Sequence, residues 1–235
     1  MCIRDSNSSM EDILLRSLNW CKRFRHRKGY GIHSPSDFFL TTFVIYEQMP
    51  FYAYAPLHHL RRVVNHLPHY REKVDKLLFR LINYLQPSLL IEAETGSGIS
   101  TRYMAEACTK LHIHSYASER QDAVERILST KAAIDYQWGD IIKKIQTLIQ
   151  EGKKPDVVHI AHTAYYREIF ELLLPLADAK TCFIIGKPYE NEEKKRWWKE
   201  IIADKRTGVT FDLYDIGLVF FNKERTKEHR IVNFL

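Results

Sequence analysis

Cysteine is scarce in this chain and carries no pattern. The four residues, Cys2, Cys21, Cys108 and Cys182, include no CxxC pair, which argues against both a zinc knuckle and a disulfide framework. Reduced thiols are expected, with Cys108 and Cys182 as small buried apolar residues. Long apolar runs are missing too: none approaches the roughly 18 residues of a membrane span, and no signal-peptide pattern opens the chain. The expectation is a soluble, cytoplasmic protein with no membrane partner. Internal repeats and low-complexity tracts are absent as well.

What is present is ordinary in amount and uneven in placement. The 235 residues are 45% apolar and 27% charged, enough for one substantial domain with an appendage. Residues up to Gln86 hold 13 Lys+Arg against 7 Asp+Glu, whereas those from Pro87 onward hold 22 of each. The whole +6 excess therefore sits in the first part. Within it, Lys22, Arg23, Arg25, Arg27 and Lys28 form one basic run, read either as a phosphate or nucleic-acid contact or as a solvated helix end beside its carbonyls. The opening MCIRDS matches the translated end of a transposon-based sequencing adapter. Residues 1–9 are accordingly expected to be a non-native leader, with the natural start at Met10.

Periodicity divides the remainder in two, a helical region over 10–86 and an alternating domain over 87–235. Leu14, Leu18, Cys21 and Phe24 recur at helical spacing before Gly29 and Gly31 break the pattern. Ser34 as N-cap, Pro35 at the first helical position and Asp37 in the first turn predict a second helix. Further helices are expected near 57–65 and 71–85. His58, His59, His66 and His69 crowd this region, but Pro68 breaks their register and no carboxylate stands at metal-site spacing, so no metal is expected.

After Pro87, short apolar runs predict strands at 89–92, 112–117, 135–138, 157–160, 181–185, 210–214 and 218–221, with 230–234 as a further short candidate. Helical stretches fall near 99–109, 121–131, 140–151, 164–175 and 191–203, the pattern of parallel βαβ units. Only Asp215-Ile216-Gly217 separates the sixth and seventh runs, which predicts an antiparallel edge hairpin.

One strand-turn-helix unit reads LLIEAETGSGIST from Leu89. Gly96 and Gly98 would let backbone approach a ligand, and the helix start offers free N–H groups. With GYGIHSPSDF before it and VTFDLYDIGLVFF after it, this unit resembles, in order and spacing, a class I S-adenosylmethionine-dependent methyltransferase-like family common in Bacteroidetes bacteria. The resemblance spans nearly everything after Met10. It implies a Rossmann-like α/β fold, a seven-stranded mostly parallel sheet with an antiparallel terminal hairpin and an N-terminal helical cap. It also implies S-adenosylmethionine as cofactor, with Glu92, Glu94, Thr95, Gly96, Gly98, Glu119 and Asp140 at its site. Glu119 would hold the ribose and Asp140 would sit beside the adenine.

Departures from that pattern limit what it implies. Glu94 stands where the family places the first glycine of E-x-G-x-S-x-G. Ala161 and Ala164 replace the acid and histidine expected after the fourth strand, and Gly186 and Lys187 replace paired acids after the fifth. Metal-assisted chemistry by that route loses its oxygen ligands. Among His159, His162, Tyr165 and Tyr166, His162 is the candidate catalytic base. Tyr30, His33, Phe51, Tyr52 and Tyr54 are candidates to line an acceptor side. The leading reading is a metal-free methyltransferase-like protein acting on a small molecule. The alternatives are a non-catalytic binding or scaffold protein with a decayed donor site and, less favoured because no base-holding motif occurs, a nucleic-acid enzyme.

Overall fold

The computed structural model describes the backbone of residues 4–27 and 29–235 and the side chains from Ile13 onward, Lys28 excepted. The cap comprises α1 (Arg4–Lys22), α2 (Pro35–Phe39) running into a π-helical stretch (Leu40–Ile45), α3 (Tyr54–Val63) and α4 (Glu72–Leu85). Ser34 flanks α2 with extended backbone and Pro35 opens the helix, but the serine makes no capping bond. Asp37 instead turns inward at 1% exposure and receives Arg225 and Arg230. The cap is thereby tied to the far end of the chain.

Eight strands follow among the described residues: β1 (Leu89–Ala93), β2 (His112–Ala117), β3 (Ile134–Trp138), β4 (Val157–Ile160), β5 (Cys182–Gly186), β6 (Thr210–Asp212), β7 (Ile216–Phe220) and β8 (His229–Ile231). Between them lie α5 (Ile99–Ala107), α6 (Asp122–Leu128), α7 (Ile141–Gln150), α8 (Tyr166–Leu173) and α9 (Glu192–Ala203). The sheet order is β3-β2-β1-β4-β5-β7-β6-β8. Strands β1 to β5 are mutually parallel, β7 is antiparallel to both β5 and β6, and β8 runs parallel to β6. The expected seven strands are joined by an eighth, because the further candidate at 230–234 forms a strand at residues 229–231 and pairs with β6.

Alternation along the strands divides the core between two faces. Leu90, Ile113, Val157 and Ile184 pack beneath Leu77, Leu81, Tyr103 and Val124 of α4, α5 and α6. On the other face Ile91, Val158 and Phe183 meet Ile145, Phe170 and Trp197 of α7, α8 and α9. Both faces of β4 and β5 are buried, which is why those runs read as continuously apolar. Order reverses between β1 and β4, and an open parallel sheet leaves its ligand crevice at such a point, beyond the strands' carboxyl ends.

Candidate functional site

Sheet register assembles the centre of the crevice. Glu92 on β1 lies opposite Ser115 on β2 and His159 on β4, and all three are fully buried. A carboxylate there needs donors. Thr101 Oγ1 and Ser115 Oγ each donate to Glu92 Oε2 at 2.5 Å, and His159 Nδ1 lies 2.9 Å from Oε1. The other imidazole nitrogen, Nε2, is 3.2 Å from the Tyr70 hydroxyl. Burial, reinforced by the negative charge of Glu92, pushes the Tyr70 phenol well above its usual range. It stays protonated and donates to His159, which in turn donates to Glu92.

The glycine loop keeps its geometry with an altered residue. Glu94 takes φ 71°, the left-handed region that glycine adopts without steric cost. Its carboxylate is turned onto the next strand end, accepting from Ser118 N at 3.2 Å and Ser118 Oγ at 2.5 Å. Thr95 N donates to Tyr116 O at 3.0 Å, and Gly98 N to Thr95 O at 3.1 Å. Ser97 N, an amide that a ligand at the helix start would use, donates to Pro68 O at 3.0 Å.

A strap of the cap, Pro68 to Tyr70, thus lies across the loop. A Cβ on Gly96 would come 2.9 Å from Pro68 O, and one on Gly186 would come 2.0 Å from the Tyr70 hydroxyl. Ala161 and Gly186, the positions that lack acids, leave the room this phenol occupies. Arg61 fixes the strap from behind, donating to Tyr70 O and pairing with Asp75. Asp75 also accepts from Ser100 Oγ in the first turn of α5 at 2.7 Å. Burial outweighs these partners and raises the Asp75 carboxyl to about 7. The space left among strap, loop and β4 is about 20 Å³, close to the volume of one water.

His162 lines the same small space. Its Nδ1 is 2.9 Å from Glu190 Oε1, while Nε2 is buried with no partner among the described residues. Burial, with Lys187 adding to it and Glu190 opposing, pulls the imidazole below its ordinary range. A neutral ring with one free nitrogen is what a base requires. Glu190 also holds the buried Lys194 ammonium at 3.2 Å.

Glu119 and Asp140 are exposed at the ends of β2 and β3, outside the residues lining the small space. Asp140 caps α7, accepting from Lys143 N at 3.0 Å. Of the five acceptor-side candidates none lines it. Tyr30, His33 and Tyr52 are exposed, while Phe51 and Tyr54 pack against Phe79 in the cap. Within the basic run, Arg23 is consumed internally: it pairs with buried Asp212 at 2.8 Å and stacks over Tyr189 and Tyr214. Lys28 lies outside the described residues. Tyr70 and Asp75 escaped the sequence reading because they belong to no motif. Their one trace was the paired small residues Ala161 and Gly186.

This architecture is the class I S-adenosylmethionine-dependent methyltransferase fold. An O-methyltransferase from Bacillus cereus in complex with SAH superposes with TM-score 0.61 at 17% identity, over 76% of this chain and 95% of its own. TomG from Streptomyces achromogenes, in complex with SAM, gives 0.59 and 16%, covering 74% and 91%. The SAH-bound Podospora anserina methyltransferase PaMTH1 gives 0.60 and 12%, covering 81% and 97%. No family model matches the chain, and no curated protein matches it. Small-molecule sites generally enclose about 300 Å³ or more. With some 20 Å³ between the strap and the loop, that part of the crevice has no room for a ligand of this size while the strap is seated.

Proposed function

We propose that this chain is a methyltransferase-like protein whose donor crevice is closed by its own cap, a binding or scaffold relative that does not transfer methyl groups in this form. The observation that carries the reading is the strap: Pro68 O occupies a glycine-loop amide and the Tyr70 phenol fills the hollow left by Ala161 and Gly186. Glu94 adds to it by holding a carboxylate beside the loop, on Ser118 at the end of β2.

A second reading has its own support. His162 presents an unpartnered Nε2 at the crevice and is held neutral by burial, as a base for a metal-free transfer to a small molecule would be. That enzyme would use S-adenosylmethionine at Glu92 to Gly98, with Glu119 and Asp140 beside the nucleoside, after the strap had lifted.

Calorimetry with S-adenosylmethionine and S-adenosylhomocysteine separates the two. For the unmodified protein the expected result is no measurable heat up to about 1 mM ligand, an affinity weaker than about 4 kcal/mol. The double variant Glu94→Gly/Tyr70→Ala should regain binding. A micromolar constant for the unmodified protein would overturn the closed-crevice reading and favour the enzyme.

A further inference from the structure

One feature left without a role in that reading lies in the cap. A cavity of about 440 Å³ opens between the end of the π-helical stretch, α3, α4 and the segment after β8, lined by Glu47, Tyr54, Lys73, Lys76, Arg80 and Phe234 among others. Its size falls in the range of small-molecule sites. Its charged side chains are three cations, Lys73, Lys76 and Arg80, and one carboxylate, Glu47.

Lys73, Lys76 and Arg80 stand at i, i+3 and i+7 along α4 and so share a face. Arg80 is 7% exposed, and its guanidinium donates to the carbonyls of Val44 and Ile45 at 2.6 and 2.9 Å. Lys73 Nζ donates to the Phe234 carbonyl at 2.5 Å and sits 4.9 Å over the Phe234 ring. Among the described residues, neither cation has a carboxylate within ion-pair distance. Lys76 does, in Glu72 at 2.9 Å. The remaining acid of the lining, Glu47, is folded back onto its own loop and accepts from Gln48 N and Met49 N at 2.7 Å each.

Burying a cation without a counter-charge is unfavourable unless something else supplies one. Arg80 is buried and also reaches the Tyr54 hydroxyl at 3.5 Å, Lys73 is half-buried, and both face this cavity with only neutral partners within hydrogen-bond distance among the described residues. Burial, with Arg71 and Arg16 adding to it and Asp215 opposing, lowers the Lys73 ammonium to about 8. The rest of the wall is apolar or aromatic: Ile45, Met49, Pro50, Tyr46, Tyr54 and Phe234. Tyr46 also walls a neighbouring cavity lined by Phe24, Arg25, Arg27 and Tyr30, which continues the aromatic and cationic character.

We infer that this cavity binds a small organic anion, a carboxylate or phosphate head on an aromatic body, with Lys73 and Arg80 neutralising the head and Tyr54 and Phe234 packing on the ring. The site is separate from the glycine loop and stands or falls independently of the crevice.

The test is calorimetry at pH 7 in low salt with phenyl phosphate, benzoate, phenol and inorganic phosphate, on the full chain and on Lys73→Gln. At least one of the two aromatic anions should bind about tenfold tighter than both phenol and inorganic phosphate, since head and ring each contribute. Lys73→Gln should weaken that ligand about fivefold or more. A second measurement needs no variant: the same ligand should protect Lys73, above other lysines, from acetylation read by peptide mass spectrometry. Three results would each overturn the proposal. They are phenol binding as tightly as the anions, inorganic phosphate doing so, as general surface charge would predict, or Lys73 remaining unprotected at saturating ligand.

Discussion

Single residues in this protein hold conformations or charges that their surroundings impose. Glu94 occupies left-handed backbone at φ 71°, which costs a non-glycine residue about 1 kcal/mol, and recovers a similar amount from its two bonds to Ser118. Glu94→Gly should therefore change stability by less than about 1 kcal/mol, checked by urea unfolding, while removing the carboxylate from the crevice. Asp75 behaves differently. Its carboxyl is raised from 3.8 to about 7 by burial, so the folded chain holds this proton more tightly than the unfolded one. Stability from this group is fully present below about pH 4 and is lost as pH rises to about 7. The melting temperature should fall between about pH 4 and 7, and Asp75→Asn should flatten that slope. A slope unchanged in Asp75→Asn would assign it to other groups.

At the scale of elements, the strap joins cap to sheet through one buried chain of hydrogen bonds, Tyr70 to His159 to Glu92. Tyr70→Phe removes the first bond and leaves His159 Nε2 without its donor, a loss of about 1 to 3 kcal/mol in denaturant unfolding. Gly186→Ala puts a methyl into the Tyr70 hydroxyl and should destabilise by about 1 to 3 kcal/mol. The double variant Tyr70→Phe/Gly186→Ala should cost less than the sum of the two, because the clashing atom is gone.

The central strands were legible in the sequence because β1, β4 and β5 carry bounded apolar runs, and β1 to β5 fall within two residues of expectation. So was the crevice's position, at the end of a strand-turn-helix unit. The strap was not legible. Tyr70 and His159 are 89 residues apart, and although His159 stood among the crevice candidates, nothing local marks the two as partners. Asp37 shows the same limit: its place in the first turn of a helix suggests a cap, and only the fold reveals Arg225 and Arg230 above it. Spacing rules read local geometry, whereas these partners meet through tertiary packing.

For the whole molecule, the uneven charge left two readings open, a contact for polyanions or a solvated helix end. Part of it is spent internally: Arg23 on Asp212, Arg16 on Asp215 at 2.7 Å, and Arg61 on Asp75. Binding of a DNA duplex should accordingly be weak, with a salt slope corresponding to fewer than about three phosphates. A steep slope in a fluorescence titration would revive the nucleic-acid reading. No helix among the described residues is long and apolar enough to cross a membrane.

The carbonyl of Pro68 seated against Gly96 has a consequence for how relatives of this chain are judged. Bare backbone at that position is demanded here by a neighbouring loop, so selection would preserve the glycine long after any donor molecule had ceased to visit. Inheritance of the motif and retention of transfer chemistry are thereby uncoupled. Divergent homologues are better sorted by whether a bulky residue faces their counterparts of Ala161 and Gly186 than by how many glycines they keep.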